Sequence, residues 1–156
     1  MYEDLLDLLK SRSGKLAAAE SCTGGMVSAA ITDIPGISEF YQGSVVSYAN
    51  AIKINLLGVP EDILNSVGAV SEECAHFMAA GAARALGADY AVSTTGIAGP
   101  GGAVPGKPVG TVCMGFYIRG KVFTETNHFT GSRAEVRCQA TCHALNRLME
   151  LIRSSN

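Results

Sequence analysis

Ala17-Ala18-Ala19-Glu20-Ser21-Cys22-Thr23-Gly24-Gly25 is a run of small apolar residues that breaks into a serine and then a glycine pair. The apolar half reads as a short buried strand, Lys15–Glu20, and the polar half opens a helix over about residues 22–33, stopped by Ile34-Pro35-Gly36. The segment is therefore a strand-to-helix junction with one hydroxyl, Ser21, at its corner. Free backbone N–H groups and the positive end of the helix dipole converge at such a corner. Ser21 is accordingly open to three readings: a helix cap, part of an anion site, or a nucleophile beside a ready-made oxyanion hole. Gly24 and Gly25 each cost a first helical turn roughly 1 kcal/mol against alanine. Close approach of a ligand or of another backbone would offset that cost.

Outward from this junction the chain alternates between helical and strand patterns. Residues 2–12 read as a helix, Gly43–Ala49 as a second strand, and Asn50 as the cap of a short helix to Leu57. A brief helix comes after Pro60. Ser71 caps a longer one to Leu86, with Glu72 and Glu73 at its positive end, Gly87 closing it, and apolar or small residues at 74, 77, 78, 81, 82 and 85. Asp89–Thr95 is the third strand, and a loop dense in glycine and proline covers Gly96–Pro108. Val109–Ile118 and Lys121–Phe129 form a hairpin turning at Arg119-Gly120. The last helix starts at the capping box Ser132-x-x-Glu135, with a core stripe through Ala134, Cys138, Thr141, Leu145, Leu148 and Ile152.

Strands separated by helices, and then a hairpin, define an α/β fold: a three-layer α/β/α sandwich on a mixed, mostly parallel sheet with one antiparallel strand. Ligands of such sheets sit outside the carboxyl ends of the parallel strands. Ser21-Cys22-Thr23, Ser47-Tyr48 and Thr94-Thr95-Gly96 all arrive there.

At 156 residues the chain is read as one domain, 1–156, which buries roughly 70% of its unfolded surface without staples. A net charge of −2 with 17% charged residues lacks the basic excess of a nucleic-acid binder. The N-terminal stretch is amphipathic and acidic, unlike a secretory signal, and no apolar run reaches the roughly 20 residues that cross a bilayer. The five cysteines show no pairing logic, so reduced thiols and a cytoplasmic location are expected, with neither membrane nor nucleic acid as partner. Cys138, Cys142 and His143 lack a second ligand pair at zinc-like spacing, so no metal is assigned.

A nucleophilic serine needs a base, and no histidine has a setting that marks it as one: His76 and His143 lie inside helices and His128 near a strand end. Lys53 is the better candidate. It falls at N3 of the helix capped by Asn50, where the dipole and partial burial both favour the neutral amine. Tyr48, at a strand end, can relay the proton or hold the lysine, while a core tyrosine and a solvated lysine are the plain alternatives. Arg133 and Arg137 are an i, i+4 pair where cations oppose the dipole, so they face either acids or an anionic ligand. The Gly96–Pro108 loop is no phosphate-binding Walker sequence, and its glycines fit a wall close to a ligand, with Lys107 a weak contact.

With these residues assembled, the chain resembles the CinA C-terminal domain family, the nicotinamide-nucleotide amidases. The resemblance runs through Ala-Glu-Ser-Cys-Thr-Gly-Gly (19–25), Thr-Asp-Ile-Pro-Gly (32–36), Gly-Ser-Val-Val-Ser-Tyr-Ala-Asn-Ala-Ile-Lys (43–53) and Gly-Ala-Val-Ser (68–71). It continues through Thr-Gly-Ile-Ala-Gly-Pro-Gly-Gly (95–102), Lys-Pro-Val-Gly-Thr-Val (107–112) and Phe-x-Gly-x-Arg (129–133). The resemblance implies a five-stranded mixed sheet and hydrolysis of the carboxamide of nicotinamide mononucleotide to nicotinate mononucleotide and ammonia, without metal or cofactor. It implies a catalytic Ser21 with Tyr48 and Lys53. Substrate would be held by Cys22, Thr23, Gly24, Thr95, Gly96 and Arg133 or Arg137. A homodimer is the default expectation for a small enzyme. The alternative is a nucleotide- or phosphate-binding module that catalyses nothing, related to competence or DNA-damage responses. It needs the glycines and arginines but neither Lys53 nor Tyr48.

Overall fold

The computed structural model describes residues 2–155. In chain order these form α1 (Glu3–Arg12), β1 (Leu16–Glu20), α2 (Met26–Thr32), a 3-10 turn (Ile37–Glu39), β2 (Tyr41–Val46), α3 (Asn50–Leu57) and α4 (Glu61–Ser66). Then come α5 (Glu72–Leu86), β3 (Tyr90–Gly96), β4 (Thr111–Ile118), β5 (Lys121–His128) and α6 (Arg133–Ser154). One five-stranded sheet has the order β2-β1-β3-β4-β5. β1 pairs in parallel with β2 and β3, and β4 runs against both of its neighbours. The α/β/α sandwich read from the sequence is the fold observed.

Burial is set by each strand's place. β1 and β3 are covered on both faces and buried along almost their whole length, whereas the edge strands β2 and β5 are partly exposed. Side chains of β1 alternate between two cores. Leu16 and Ala18 join Leu5, Leu9, Val27, Ile31, Leu145 and Leu148 of α1, α2 and α6, and Ala17 and Ala19 join Leu57, Cys74, Met78 and Ala82 of α3 and α5. Each fully buried Leu or Ile contributes about 1.5–3 kcal/mol to holding a layer in place. The hairpin turns at Arg119 and Gly120, both at positive φ, as a two-residue turn matched to strand twist requires.

Local differences from the sequence reading have physical causes. α2 begins at Met26 rather than near residue 22, because Gly24 (φ 57°) and Gly25 (φ 107°) are left-handed and cannot extend the helix backwards. β2 lies earlier than Gly43–Ala49, and the extended residue capping α3 is Ala49, not Asn50, which occupies the first helical position without a side-chain cap bond. In α6 the stripe through Thr141, Leu145, Leu148 and Ile152 is buried as expected, but Ala134 and Cys138 are exposed and Val136 and Ala140 turn inward instead. Val136 carries more apolar surface than either residue it supplants, and that decides the rotation of the first turns. In α5, Ala75, Ala79 and Ala83 are buried where Phe77 and Ala85 were expected. This helix is flanked by the sheet and by α3, so its buried face is wider than one stripe.

The small residues of α5 set the position of α3. A Cβ on Gly81 would lie 2.0 Å from the carbonyl oxygen of Leu57, so the two helices touch backbone to backbone. Gly81→Ala should force them apart despite the better helix propensity of alanine. The expected outcome is a loss of about 1–3 kcal/mol in urea unfolding, with α3 displaced.

Candidate active site

The carboxyl ends of the parallel strands β1, β2 and β3 meet at one sheet edge. From β1 the chain crosses by α2 to β2 on one side, and from β2 it crosses by α3–α5 to β3 on the other. The end of β1 is therefore the point where strand order reverses, the place at which open α/β sheets bind ligands. A cleft of about 260 Å³ opens there, lined by Ser21, Tyr48, Lys53, Thr95, Ile97 and Arg133 among others. That is just under the usual range of small-molecule clefts, about 300–1,000 Å³.

The corner after β1 is built on Glu20. Its side chain is fully buried and its carboxylate collects five donors. Oε1 accepts from Thr23 Oγ1 (2.7 Å), the Gly25 amide (3.1 Å) and the Val27 amide (2.9 Å). Oε2 accepts from the Ser28 amide (3.1 Å) and Ser44 Oγ (3.2 Å). The chain's own carboxylate thus fills the anion position at the N-terminus of α2 and takes the amides that a cap would take. Ser21 is left uncommitted to α2. The expectation of a serine capping this helix gives way to a serine at the head of a turn, closed by the Gly24 amide on the Ser21 carbonyl (3.1 Å). Sequence reading missed Glu20; the signal was a lone carboxylate ending an alanine strand and aimed at the α2 layer.

Lys53 is 1% exposed, and α3 explains why. Lys53 and Leu57 lie one turn apart on the buried face of the helix; Leu57 is anchored in the core against α5, which carries Lys53 inward beneath the cleft. Its Nζ lies 3.0 Å from Ser21 Oγ, 2.7 Å from the Ser47 carbonyl and 3.2 Å from the Tyr48 carbonyl. Among the described residues no carboxylate forms an ion pair with it. Burial lowers its pKa from the ordinary lysine value of 10.5. A neutral amine satisfies the same three contacts: two N–H bonds go to the carbonyls, and the lone pair faces the Ser21 hydroxyl. Because Asn50 is helical rather than a cap, Lys53 sits one position deeper in α3 than N3.

The other expected residues separate into two groups. Cys22, Thr95, Gly96, Tyr48 and Arg133 line the cleft. Burial pushes the Cys22 thiol up to about 11, which keeps it protonated and inert beside Ser21. Among the described residues the Cys22 amide meets no backbone acceptor. Tyr48 holds Lys53 through its main-chain carbonyl; the residue is 63% exposed, and its phenol oxygen accepts from Arg133 Nη2 at 3.3 Å. Arg133 Nη1 donates to the Gly99 carbonyl at 2.9 Å, so this side chain ties the 97–102 loop and Tyr48 across the mouth of the cleft. Thr23, Gly24 and Arg137 do not line it. Thr23 is buried between Glu20 and Thr94, and Arg137 donates to the Cys22 and Thr23 carbonyls (3.0 and 3.2 Å), bracing the turn from behind beside Gly24.

Lys107 bonds the Val67 carbonyl and borders a different hollow. Asn50, expected only as a cap, reaches the cleft. None of the three histidines does: His143 pairs with Glu125 at 2.7 Å, His128 faces Thr111, and His76 is exposed on α5.

Fold and site define a three-layer α/β protein with a serine–lysine pair at the topological switch point. The model of the CinA C-terminal domain matches residues 1–152, and the chain belongs to that family. It is 47% identical over 146 residues to a CinA-like protein of Dictyoglomus thermophilum, covering 94% of this chain and 36% of that protein. It is 45% identical over 153 residues to a CinA-like protein of Thermotoga maritima, covering 98% and 37%. The chain thus spans about a third of the length of these relatives. Among solved structures, a CinA superfamily protein from Escherichia coli superposes with a TM-score of 0.93 at 34% identity, over 96% of this chain and 87% of that one. The competence damage-inducible protein A (ComA) from Klebsiella pneumoniae gives 0.93 at 34% identity, over 99% of each. Among the described residues no helix is long and apolar enough to cross a membrane, and all five cysteines are free.

Glu20→Gln places an amide N–H₂ among donors. It should cost about 2 kcal/mol or more in urea unfolding, whereas Ser44→Ala, which removes only one of the five donors, should cost under about 1 kcal/mol.

Proposed function

We propose that the cleft hydrolyses the carboxamide of nicotinamide mononucleotide to nicotinate mononucleotide and ammonia, through a covalent intermediate on Ser21. The observation that carries this reading is the 3.0 Å contact between Ser21 Oγ and a buried Lys53 amine that has no acidic partner among the described residues. A lysine kept only for charge would have a carboxylate beside it; one held by two carbonyls and a serine hydroxyl is arranged as a base. The choice of substrate rests on the family resemblance, and a guanidinium at the mouth with a small cleft beneath it suits an anionic mononucleotide.

Neutral Lys53 accepts the Ser21 proton as Oγ bonds to the carboxamide carbon, and the carbonyl electron pair moves onto oxygen. The amide of Cys22, a residue that lines the cleft, has no backbone acceptor among the described residues and is the candidate oxyanion donor; one such donor is commonly worth roughly 3 kcal/mol. The intermediate collapses, the C–N bond breaks, and the Lys53 ammonium returns its proton to the departing ammonia. Water then attacks the acyl-enzyme with Lys53 again as base. The C–Oγ bond breaks, and Ser21 regains its proton as the acid leaves.

Ser21→Ala should lower ammonia release by about a thousandfold or more while leaving nucleotide affinity within a few-fold. Lys53→Met should do the same to turnover, because it removes the proton acceptor and keeps the stem. Full turnover in both variants would exclude the covalent route, and nucleotide binding without ammonia release from the unmodified protein would favour a binding module.

The pH profile supplies a further check. Only the neutral amine is a base, so kcat/KM should rise with pH through a limb centred below 10.5, and Lys53→Met should lack that limb. Stability has the same sign. Between the lowered folded value and 10.5 the unfolded chain binds more protons, so unfolding free energy should climb with pH in that window in the wild type and not in Lys53→Met.

A further inference from the structure

Among the described residues that line the cleft, the buried polar side chains are Ser21, Lys53 and Thr95. The first two carry the proposed chemistry; Thr95, 1% exposed, has no part in it. Its setting fixes what its hydroxyl can do. Along β3 successive side chains alternate, so Thr94 faces the α2 layer, where it meets Thr23 Oγ1 at 2.7 Å, and Thr95 faces the α5 layer on the cleft side. The Ser21 amide donates to the Thr94 carbonyl at 2.9 Å, which pins the nucleophile beside the end of β3. Thr95 Oγ1 donates its one hydrogen to the Ala69 carbonyl at 2.8 Å. Ala69 is itself held in the turn before α5, where Ser71 Oγ donates to the Gly68 carbonyl at 2.8 Å and caps the helix through the Cys74 amide at 3.1 Å.

A threonine hydroxyl has one donor hydrogen and two acceptor lone pairs. With the hydrogen committed to Ala69, the oxygen presents acceptor capacity alone, and among the described residues no hydrogen bond is donated to it. Ser21 and Lys53 line the same cleft, and the Arg133 guanidinium stands at its mouth. We propose that Thr95 is the specificity-determining residue that distinguishes a carboxamide from an ester or a carboxylate, by accepting a hydrogen bond from the amide N–H₂. An ester oxygen or a carboxylate offers only lone pairs at that position and meets another lone pair in return. This inference rests on the amidase reading and adds to it how the leaving group is recognised. The same contact aims the nitrogen's hydrogens at Thr95 and leaves its lone pair available to Lys53.

The test compares nicotinamide mononucleotide with the methyl ester of nicotinate mononucleotide, measuring ammonia and methanol release by the wild type, Thr95→Val and Thr95→Ser. Valine is close in shape but removes the acceptor; serine restores both the acceptor and the bond to Ala69. Thr95→Val should lower kcat/KM for the amide about a hundredfold, move the ester by less than about threefold, and so reverse the preference. Thr95→Ser should keep both within about fivefold of the wild type. A parallel fall of both substrates in Thr95→Val, or an unchanged amide rate, would overturn the role of Thr95 while leaving the amidase reading standing. Release of neither ammonia nor methanol by the wild type would overturn both together.

Discussion

A single buried carboxylate organises the corner that carries the candidate site. Glu20 ends the interior strand β1 with no exposure to solvent, and an uncompensated charge there would cost several kcal/mol. It is compensated by three amides at the start of α2 and by hydroxyls from Thr23 and Ser44. The donors come from the turn, the helix and the neighbouring edge strand, so one side chain joins three elements at the sheet edge. The strand cannot slip and the helix cannot rotate without leaving part of that charge unpaired. Thr23 passes the constraint to β3 through Thr94, and Arg137 closes it from α6 on the carbonyls of the same turn.

The consequence for chemistry is a division of labour between adjacent residues. Glu20 absorbs the electrostatic field of the helix terminus, and Ser21 is held at the strand end without being consumed by it. The two side chains point to opposite sides of the sheet, as neighbours on an extended chain must. On the α2 side the network is closed and saturated. On the α5 side it is open to the cleft, and there the serine meets a lysine brought in by a separate anchor, the packing of Leu57 against α5. The proposed nucleophile and base are thus positioned by independent parts of the fold, with Glu20 setting the place of one and Gly81 the depth of the other.

Much of this was legible in the sequence because the signals were strong and local. An alanine strand ending in Ser-Cys-Thr-Gly-Gly, a serine cap before Glu72-Glu73 and the Ser132–Glu135 capping box each specify an element by its own chemistry, and the structure has all three. Lys53 was singled out by its place in a short helix, and that helix buries it. What was not legible depended on distance in sequence. Glu20 recruits Ser44, twenty-four residues away, and Arg137 reaches back to Cys22 across 115 residues. Arg133 and Arg137 are equivalent by spacing alone; only the crossing of α6 over the 21–25 turn sends one to the cleft and the other behind it. Asn50 was misread for a related reason, since an asparagine before a helix has the same local signature whether it caps the helix or faces a ligand.

The proposed use of lysine instead of histidine as base follows from the same geometry. An imidazole needs a partner on its far nitrogen to fix its tautomer, either a carboxylate or a main-chain carbonyl. The chain already carries one buried acid at the strand end, fully saturated and on the opposite face. An amine needs no such partner. Two main-chain carbonyls from the β2–α3 connection satisfy its hydrogens and by elimination direct its lone pair along the third tetrahedral direction, to Ser21. Burial then does the rest, since it is the ammonium, not the amine, that loses hydration. The proposed base is therefore defined by backbone atoms whose positions the sheet fixes, and what α3 must supply is a long side chain one helical turn before Leu57.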